Sequence, residues 1–258
     1  MSSPNFDLSG RVCFITGTTS GLGRQFALCL AGAGAHVVIT GRRQERLEAL
    51  KTEIEQAGGS AYPISFDVTD QAACAAAVAE AEEKVGPIWC LVNNSGVAIM
   101  TRAEETTQED YDTVMDTNVR APFMLAQEVG KRMIARGQGG RIINIASMAG
   151  LVELRGGITY STSKAAAAMM ARVLALEWAR HGIKVNAICP GYIRTEMNDD
   201  LWESDVGQRM INAWPTRRVG KDTDLNGLLL LLASDEGDFI TGANIKIDDG
   251  QSLGIKGT

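Results

Sequence analysis

Short apolar, β-branched runs alternate along this chain with longer stretches in which apolar residues recur every three or four positions. Residues 12–16 read as a first strand and 22–33 as a first helix. A second strand at 35–40 precedes a helix with Leu47, Leu50, Ile54 and Ala57 on one face and charged residues on the other. A third strand at 61–67 leads into an Ala-rich helix at about 71–85, and a fourth strand occupies 88–92. Thr106 with Glu109 three residues on predicts a capping box opening the next helix. A strand at 141–146, a long helix at 159–179, a strand at 183–189, a helix at 222–232 and a strand at 244–247 complete the pattern.

Strand followed by helix, repeated six times, is the sign of βαβ units. It predicts an α/β fold: a single doubly wound, Rossmann-type domain over residues 1–258, with a seven-stranded parallel sheet and helices on both faces. Sheets of this kind bind ligands beyond the carboxyl ends of their strands, so the strand-to-helix junctions are where chemistry is to be sought.

Composition narrows the choice of partner. The 258 residues carry a net charge of -6 with no basic run, which argues against a nucleic-acid partner, since phosphate backbones demand clustered Lys and Arg. The longest aliphatic run, 228–233, is far short of the ~18 to 20 residues that span a bilayer, and residues 1–11 lack the charged and apolar regions of a signal peptide. No membrane association and a cytoplasmic location are expected. Cysteines at 13, 29, 74, 90 and 189 are odd in number with no C-x-x-C pair, which favours reduced thiols over disulfides or zinc ligands. With only His36 and His181, neither a His-centred triad nor a His-rich metal site has material, and no metal is expected.

Between the first strand and first helix lies Thr16-Gly17-Thr18-Thr19-Ser20-Gly21-Leu22-Gly23, where exposed backbone N–H groups can receive a pyrophosphate. A glycine cluster alone is often only a turn, but here it stands at the junction where dinucleotides bind. About 20 residues on, NAD-binding sheets usually carry an acid for the ribose 2′-hydroxyl. This strand ends Thr40-Gly41-Arg42-Arg43, with no carboxylate to repel a 2′-phosphate and with Arg42 able to grip one; Arg43 reads equally as a solvated residue starting a helix.

Tyr160 and Lys164 share one helix face at i, i+4, Ser147 ends the preceding strand, and Asn118 lies in a helical segment before it. Carbonyl reduction needs hydride at carbon and a proton for the developing alkoxide. A phenol of pKa ~10 acting near neutrality needs roughly 4 kcal/mol of preferential phenolate stabilisation, which Lys164 and an oxidised nicotinamide would supply. Ser147 would donate to the substrate oxygen. It lacks a neighbouring His and a G-x-S-x-G elbow, so it is not read as a nucleophile.

These motifs resemble those of the short-chain dehydrogenase/reductase family. The T-G-x-x-x-G-x-G form implies that Gly17, Gly21 and Gly23 meet the cofactor, with backbone contacts from Ser20 and Leu22, although Ser20 stands where some NADP-using relatives have a second basic residue. The resemblance implies that Asn118, Ser147, Tyr160 and Lys164 are the catalytic set: Tyr as acid or base, Ser positioning substrate, Lys also holding the nicotinamide ribose, Asn supporting a water-linked proton relay. Asn93-Asn94-Ser95-Gly96 resembles the family's N-N-A-G stretch, placing Asn94 at the cofactor with Ser95 in place of the usual Ala. Asp67-Val68 resembles the adenine-contacting pair. Pro190-Gly191-Tyr192-Ile193-Arg194-Thr195 resembles the nicotinamide loop, with the Ile193 backbone and Thr195 hydroxyl at the carboxamide. A homotetramer is the family expectation.

The function so implied is an NADP(H)-dependent oxidoreductase acting on a small-molecule carbonyl or alcohol. An NAD-dependent alcohol dehydrogenase and a non-catalytic NADP-binding sensor are the alternatives. Residues 192–216 are the expected substrate loop; from Met197 to Pro215 it carries Leu201, Trp202, Met210, Ile211 and Trp214, which fit either an apolar lid or core and subunit contacts. Glu153 and Arg155 follow Ser147 closely but read as solvated surface.

Overall fold

The computed structural model describes residues 5–196 and 198–253. Seven strands, β1 (Val12–Ile15), β2 (His36–Gly41), β3 (Ser60–Ser65), β4 (Ile88–Asn93), β5 (Gly140–Ile145), β6 (Ile183–Pro190) and β7 (Asn244–Ile247), form one sheet in the order β3-β2-β1-β4-β5-β6-β7. Every pairing is parallel. The expected α/β doubly wound domain is the observed one, and its strand order reverses between β1 and β4, where a crevice opens at the carboxyl ends.

The sheet is covered on both faces, so its central strands are apolar throughout rather than alternating. Along β1, Val12 and Phe14 point into one core layer, Cys13 and Ile15 into the other. One layer is closed by α1 (Gly21–Gly32) and α2 (Gln44–Gln56), through Phe26, Leu30, Leu47 and Ile54. The opposite layer receives Val78 from α3 (Gln71–Lys84), reached before the helical segments that follow β4.

The segment after β4 departs from the expected single helix. Its capping box uses Thr107 and Asp110, one residue later than predicted: the Asp110 N–H donates to Thr107 Oγ1 at 3.1 Å, while the Thr106 hydroxyl turns back to the Arg102 carbonyl. The helix α4 (Gln108–Met115) then widens into a π-helical turn, Asp116–Arg120, before α5 (Ala121–Arg136). Pro122 supplies a reason: with no N–H it cannot donate to the Asn118 carbonyl four residues back, and its ring crowds that carbonyl.

The long helix α6 (Ile158–Trp178) follows β5, with Ala171 and Leu174 in the core. After β6 come α7 (Asp199–Glu203) and α8 (Asp205–Ala213), where a loop was expected. The last predicted helix begins as a 3-10 turn, Asp222–Leu225, and continues as α9 (Asn226–Ala233). β3 ends two residues before the predicted boundary, because the Asp67 carboxylate accepts from both the Thr69 N–H and its hydroxyl and turns the chain.

Candidate active site

The crevice at the switch point is a cleft of about 1540 Å³, above the ~300 to 1,000 Å³ usual for one small ligand and large enough for a dinucleotide with a substrate. Its floor is the glycine turn between β1 and α1. Gly17 (φ 71°) and Gly21 (φ 55°) hold backbone conformations that side chains disfavour. A Cβ on Gly23 would run into the Gly17 carbonyl oxygen and the Asn94 amide, so only glycine lets the helix start approach the turn so closely. Asn94 Nδ2 donates to the Thr16 carbonyl at 2.8 Å, and the Asn94 and Ser95 N–H groups both donate to Thr16 Oγ1 at 2.9 Å. The end of β4 thus braces the turn after β1. The Ser95 hydroxyl, which the usual Ala would lack, lies 2.9 Å from where a Gly17 Cβ would stand, and Ser95 borders the cleft. These close approaches fix the shape of the turn that floors the cleft.

Arg42 and Arg43 both line the far end of the cleft. Arg42 is exposed, 3.7 Å from the Asp67 carboxylate. Hydrogen bonds from the Thr69 backbone and hydroxyl, working against burial, and then the Arg42 guanidinium hold Asp67 below the usual carboxylate range. Arg43 is more than a solvated helix start: its guanidinium donates to Thr19 Oγ1 at 2.7 Å and Ser20 Oγ at 3.3 Å, so a cation lies over Ser20 although Ser20 is itself uncharged. Arg46 joins them through the Thr19 carbonyl and stands 3.7 Å from Glu196 in the loop after β6. A Cβ on Gly41 would meet Thr19 Cγ2 at 2.7 Å.

Tyr160, Ser147 and Lys164 line the middle of the same cleft. Ser147 follows β5, its Oγ accepting from the Ala149 N–H at 3.1 Å, and Tyr160 and Lys164 occupy the first two turns of α6. Lys164 Nζ lies 5.7 Å from the Tyr160 ring centroid and donates to the Ile145 carbonyl at 2.8 Å. Burial lowers Lys164 to about 8 and raises the Tyr160 phenol above its ordinary value, with the Ser147 hydroxyl pulling the phenol back down. The downward shift expected for the phenol is therefore not a property of the chain alone. Its positive neighbour is a buried ammonium that is itself reluctant to stay charged.

Asn118 stands apart from the other predicted residues in not lining the cleft, which its neighbours Asp116 and Thr117 do. It is buried, with Oδ1 accepting from the Val97 N–H at 2.9 Å and Nδ2 donating to the Val97 carbonyl at 2.8 Å and to Ser163 Oγ at 3.0 Å. The side chain pins the loop after β4 to α6. Gly96, in that loop, passes so close that its Cβ would lie 3.3 Å from both Asn118 Oδ1 and Lys164 Nζ.

The remaining predicted contacts, Gly17, Ser20, Gly21, Leu22, Gly23, Val68, Pro190, Gly191, Ile193 and Thr195, all border the cleft. Two residues absent from the sequence reading organise the loop after β6. Asn198 accepts from the Thr195 N–H at 2.8 Å and donates to the Ile193 carbonyl at 2.9 Å. Gln251 accepts from the Tyr192 N–H at 2.6 Å and donates to the Tyr192 and Arg218 carbonyls. Asn198, three residues after Thr195, carries a local Asx signal; Gln251 is too distant in sequence to carry any. The two readings of the lid residues divide between side chains. Trp202 and Trp214 are buried against Tyr192, Trp202 edge-to-face at a centroid distance of 5.5 Å and Trp214 stacked at 5.3 Å, whereas Leu201 and Met210 are less buried; Leu201, Met210 and an edge of Trp202 border the cleft. Met197, the start of the expected lid, lies outside the described residues. Glu153 and Arg155 are exposed and border no part of the cleft.

The family model for short chain dehydrogenases matches residues 11–205. The chain is 35% identical over 257 residues to the gluconate 5-dehydrogenase of Gluconobacter oxydans, covering 99% of this chain and 100% of that one. It is 34% identical over 249 residues to the NAD-dependent glycerol dehydrogenase of Listeria innocua, with 96% of each chain covered. Among solved structures it matches a gluconate 5-dehydrogenase from Burkholderia cenocepacia in complex with NADP and tartrate, with a TM-score of 0.92, 34% identity and coverage of 96% and 98% of the two chains. Taken with the seven-stranded parallel sheet and the cleft at its switch point, these matches mean that the chain belongs to the short-chain dehydrogenase family and is an oxidoreductase acting on alcohols or carbonyls.

Proposed function

We propose that this chain transfers a hydride between NADP(H) and a small-molecule carbonyl or secondary alcohol, with Tyr160 as general acid and base. The observation that carries the reading is that Tyr160, Ser147 and Lys164 border the same cleft as the glycine turn. A bound nicotinamide supplies or accepts the hydride; the rest of the chemistry falls to the chain. The Ser147 hydroxyl orients the substrate oxygen and stabilises its growing charge. The Tyr160 phenol, held protonated by burial, donates to that oxygen during reduction. Oxidation needs the phenolate, so it is favoured at higher pH. Lys164, tied to the Ile145 carbonyl, keeps its ammonium beside the phenol and would also hold the nicotinamide ribose, and Asn118 acts through the Val97 loop as a positioning residue.

Preference for NADP(H) is supported by Arg42 and Arg43 at the end of β2 and by the absence of a carboxylate at Gly41. Met169, Val173 and Leu176 form an exposed apolar stripe on α6, which supports a homo-oligomer, tetrameric by family resemblance. Five free cysteines support a reducing, cytoplasmic location. No described helix is long and apolar enough to cross a membrane.

The test is a carbonyl panel with NADPH and with NADH, run on the native protein and on Tyr160→Phe. NADPH oxidation that Tyr160→Phe loses by about 10²- to 10⁴-fold, with NADPH affinity within about threefold, is the expected result. Tighter binding of NADH would transfer the assignment to the NAD-dependent reading. Binding without turnover of any substrate would leave a nucleotide sensor.

A further inference from the structure

Beyond Tyr160 the cleft is walled by three segments: the loop after β4, the loop between β5 and α6, and the α7–α8 lid. Val97 and Met100 come from the first, Leu154 from the second, and Leu201 and Met210 from the third, with Tyr192 above them. The segments are fastened to each other. Thr101 bridges to Gly157, and Thr159 Oγ1 donates to the Ile99 carbonyl at 3.4 Å. Met100 Cε and Leu154 Cδ2 lie 3.2 and 3.3 Å from where a Gly157 Cβ would stand, so the two side chains converge at one edge of the opening.

Charge is distributed unevenly along the cleft. Among the described residues that line it, the cations are Arg42 and Arg43, beyond β2 at the cofactor end, and Lys164, whose ammonium is engaged with the Ile145 carbonyl. On the substrate side the charged neighbours are Glu109, Asp112 and Asp116, from α4 and the π-helical turn; Asp116 is paired with Arg120 at 2.6 Å, while Glu109 and Asp112 are exposed. A carboxylate entering this half would leave water for apolar walls, meet no counter-ion among the described residues and face two exposed like charges. Each effect opposes binding.

We infer that the substrate is a neutral, predominantly apolar ketone or secondary alcohol, and that a sugar acid or polyol is a poor one. The inference rests on the oxidoreductase reading above and adds the substrate class. It separates this chain from relatives whose names refer to gluconate and glycerol. A polyol would need hydrogen-bond partners for several hydroxyls, and of the six wall side chains only Tyr192 offers one. Gln108, Glu109, Asp112 and Thr113 on α4 are exposed and already hydrated, Asp116 is paired with Arg120, and Asn198 is engaged with the Thr195 N–H and the Ile193 carbonyl, so they add little net affinity for hydroxyls.

The experiment compares kcat/KM with NADPH for an aryl alkyl ketone, 5-keto-gluconate and a neutral ketose. In parallel, tryptophan fluorescence of the NADP⁺ complex reports binding of the matching aryl alcohol, gluconate and a tetritol, since Trp202 borders the cleft. The aryl ketone is expected to exceed both polar compounds by about tenfold or more, the scale of a single apolar contact. Leu154→Arg, or Met210→Arg if the first fails to fold, should narrow its lead over 5-keto-gluconate by supplying a counter-charge. A polar compound equal or superior in kcat/KM overturns the inference while leaving the oxidoreductase reading intact. If nothing is turned over, the oxidoreductase reading fails separately, and the order of binding affinities still decides the substrate class: gluconate or the tetritol binding as well as the aryl alcohol overturns it.

Discussion

Lys164 Nζ donates to the Ile145 carbonyl at 2.8 Å, tying the ammonium beside Tyr160 to the last residue of β5, two residues before Ser147. One hydrogen bond therefore links the helix that carries Tyr160 to the strand that delivers Ser147. The same burial that makes this bond strong penalises the charge that donates it.

That penalty predicts a pH dependence. Lys164 has an ordinary value of 10.5 and is lowered to about 8 in the folded chain, so between these two pH values the unfolded chain binds more protons and stability rises with pH. The Lys164 contribution is complete above 10.5 and lost as pH falls through 8. Lys164→Met, with its neutral side chain, should lack this dependence. The stability of the native protein relative to the variant, followed by urea unfolding, should improve by up to roughly 3 kcal/mol from pH 7.5 to pH 10.5. A difference that does not change with pH would contradict the assigned burial.

Ser147→Ala should lower the rate of the chemical step about 10²- to 10³-fold, the cost of removing one oriented donor to a developing oxyanion. The NADPH dissociation constant should stay within about threefold. Single-turnover kinetics in both directions separates the two quantities, and an unaltered chemical rate removes Ser147 from the reaction.

Arg43 donates to Thr19 and Ser20 from the end of β2, and we expect Arg43→Ala and Arg42→Ala each to weaken NADPH binding by about tenfold with little effect on NADH. Calorimetric titration with both nucleotides tests this; equal losses for the two would mean that neither guanidinium meets the 2′-phosphate. Arginine replacements are better probes than Gly41→Asp, because a Cβ at Gly41 would crowd the Thr19 methyl at 2.7 Å and so disturb the turn being tested.

Asn198→Ala removes hydrogen bonds to the Thr195 N–H, the Ile193 carbonyl and Trp202 Nε1. The variant should lose about 1 to 3 kcal/mol of stability, and KM for substrate should rise as the lid loosens. Thermal unfolding and steady-state kinetics check both. Asn198→Asp, which keeps the acceptor, should recover part of the loss.

Much of this site was legible without coordinates because it is local. The glycine turn, Tyr160 with Lys164, and the loop from Pro190 to Thr195 each lie within one strand-to-helix junction, where residue spacing and backbone geometry are coupled. Asn118 was legible as a residue but not as a contact: its side chain faces Val97 and Ser163, a relationship created when the π-helical turn redirects the chain. Arg43 was undecided in the sequence because the direction of a side chain at a helix start depends on what the neighbouring turn presents.

The alternation of apolar strands with amphipathic helices was enough to dictate a parallel, doubly wound sheet, since only layers on both faces bury such strands and helices together. Which ends of which loops meet depended on long-range packing. Gln251 reaches Tyr192 across the carboxyl ends of β6 and β7, the edge-to-face Trp202–Trp214 pair forms only once α7 and α8 fold over Tyr192, and Met100 finds Leu154 through the Thr101–Gly157 bridge. These contacts join residues from twelve to fifty-nine positions apart. Hydrophobic period encodes which face of an element is buried, but a partner so far along the chain is chosen only when the layers close and each side chain takes the space left to it.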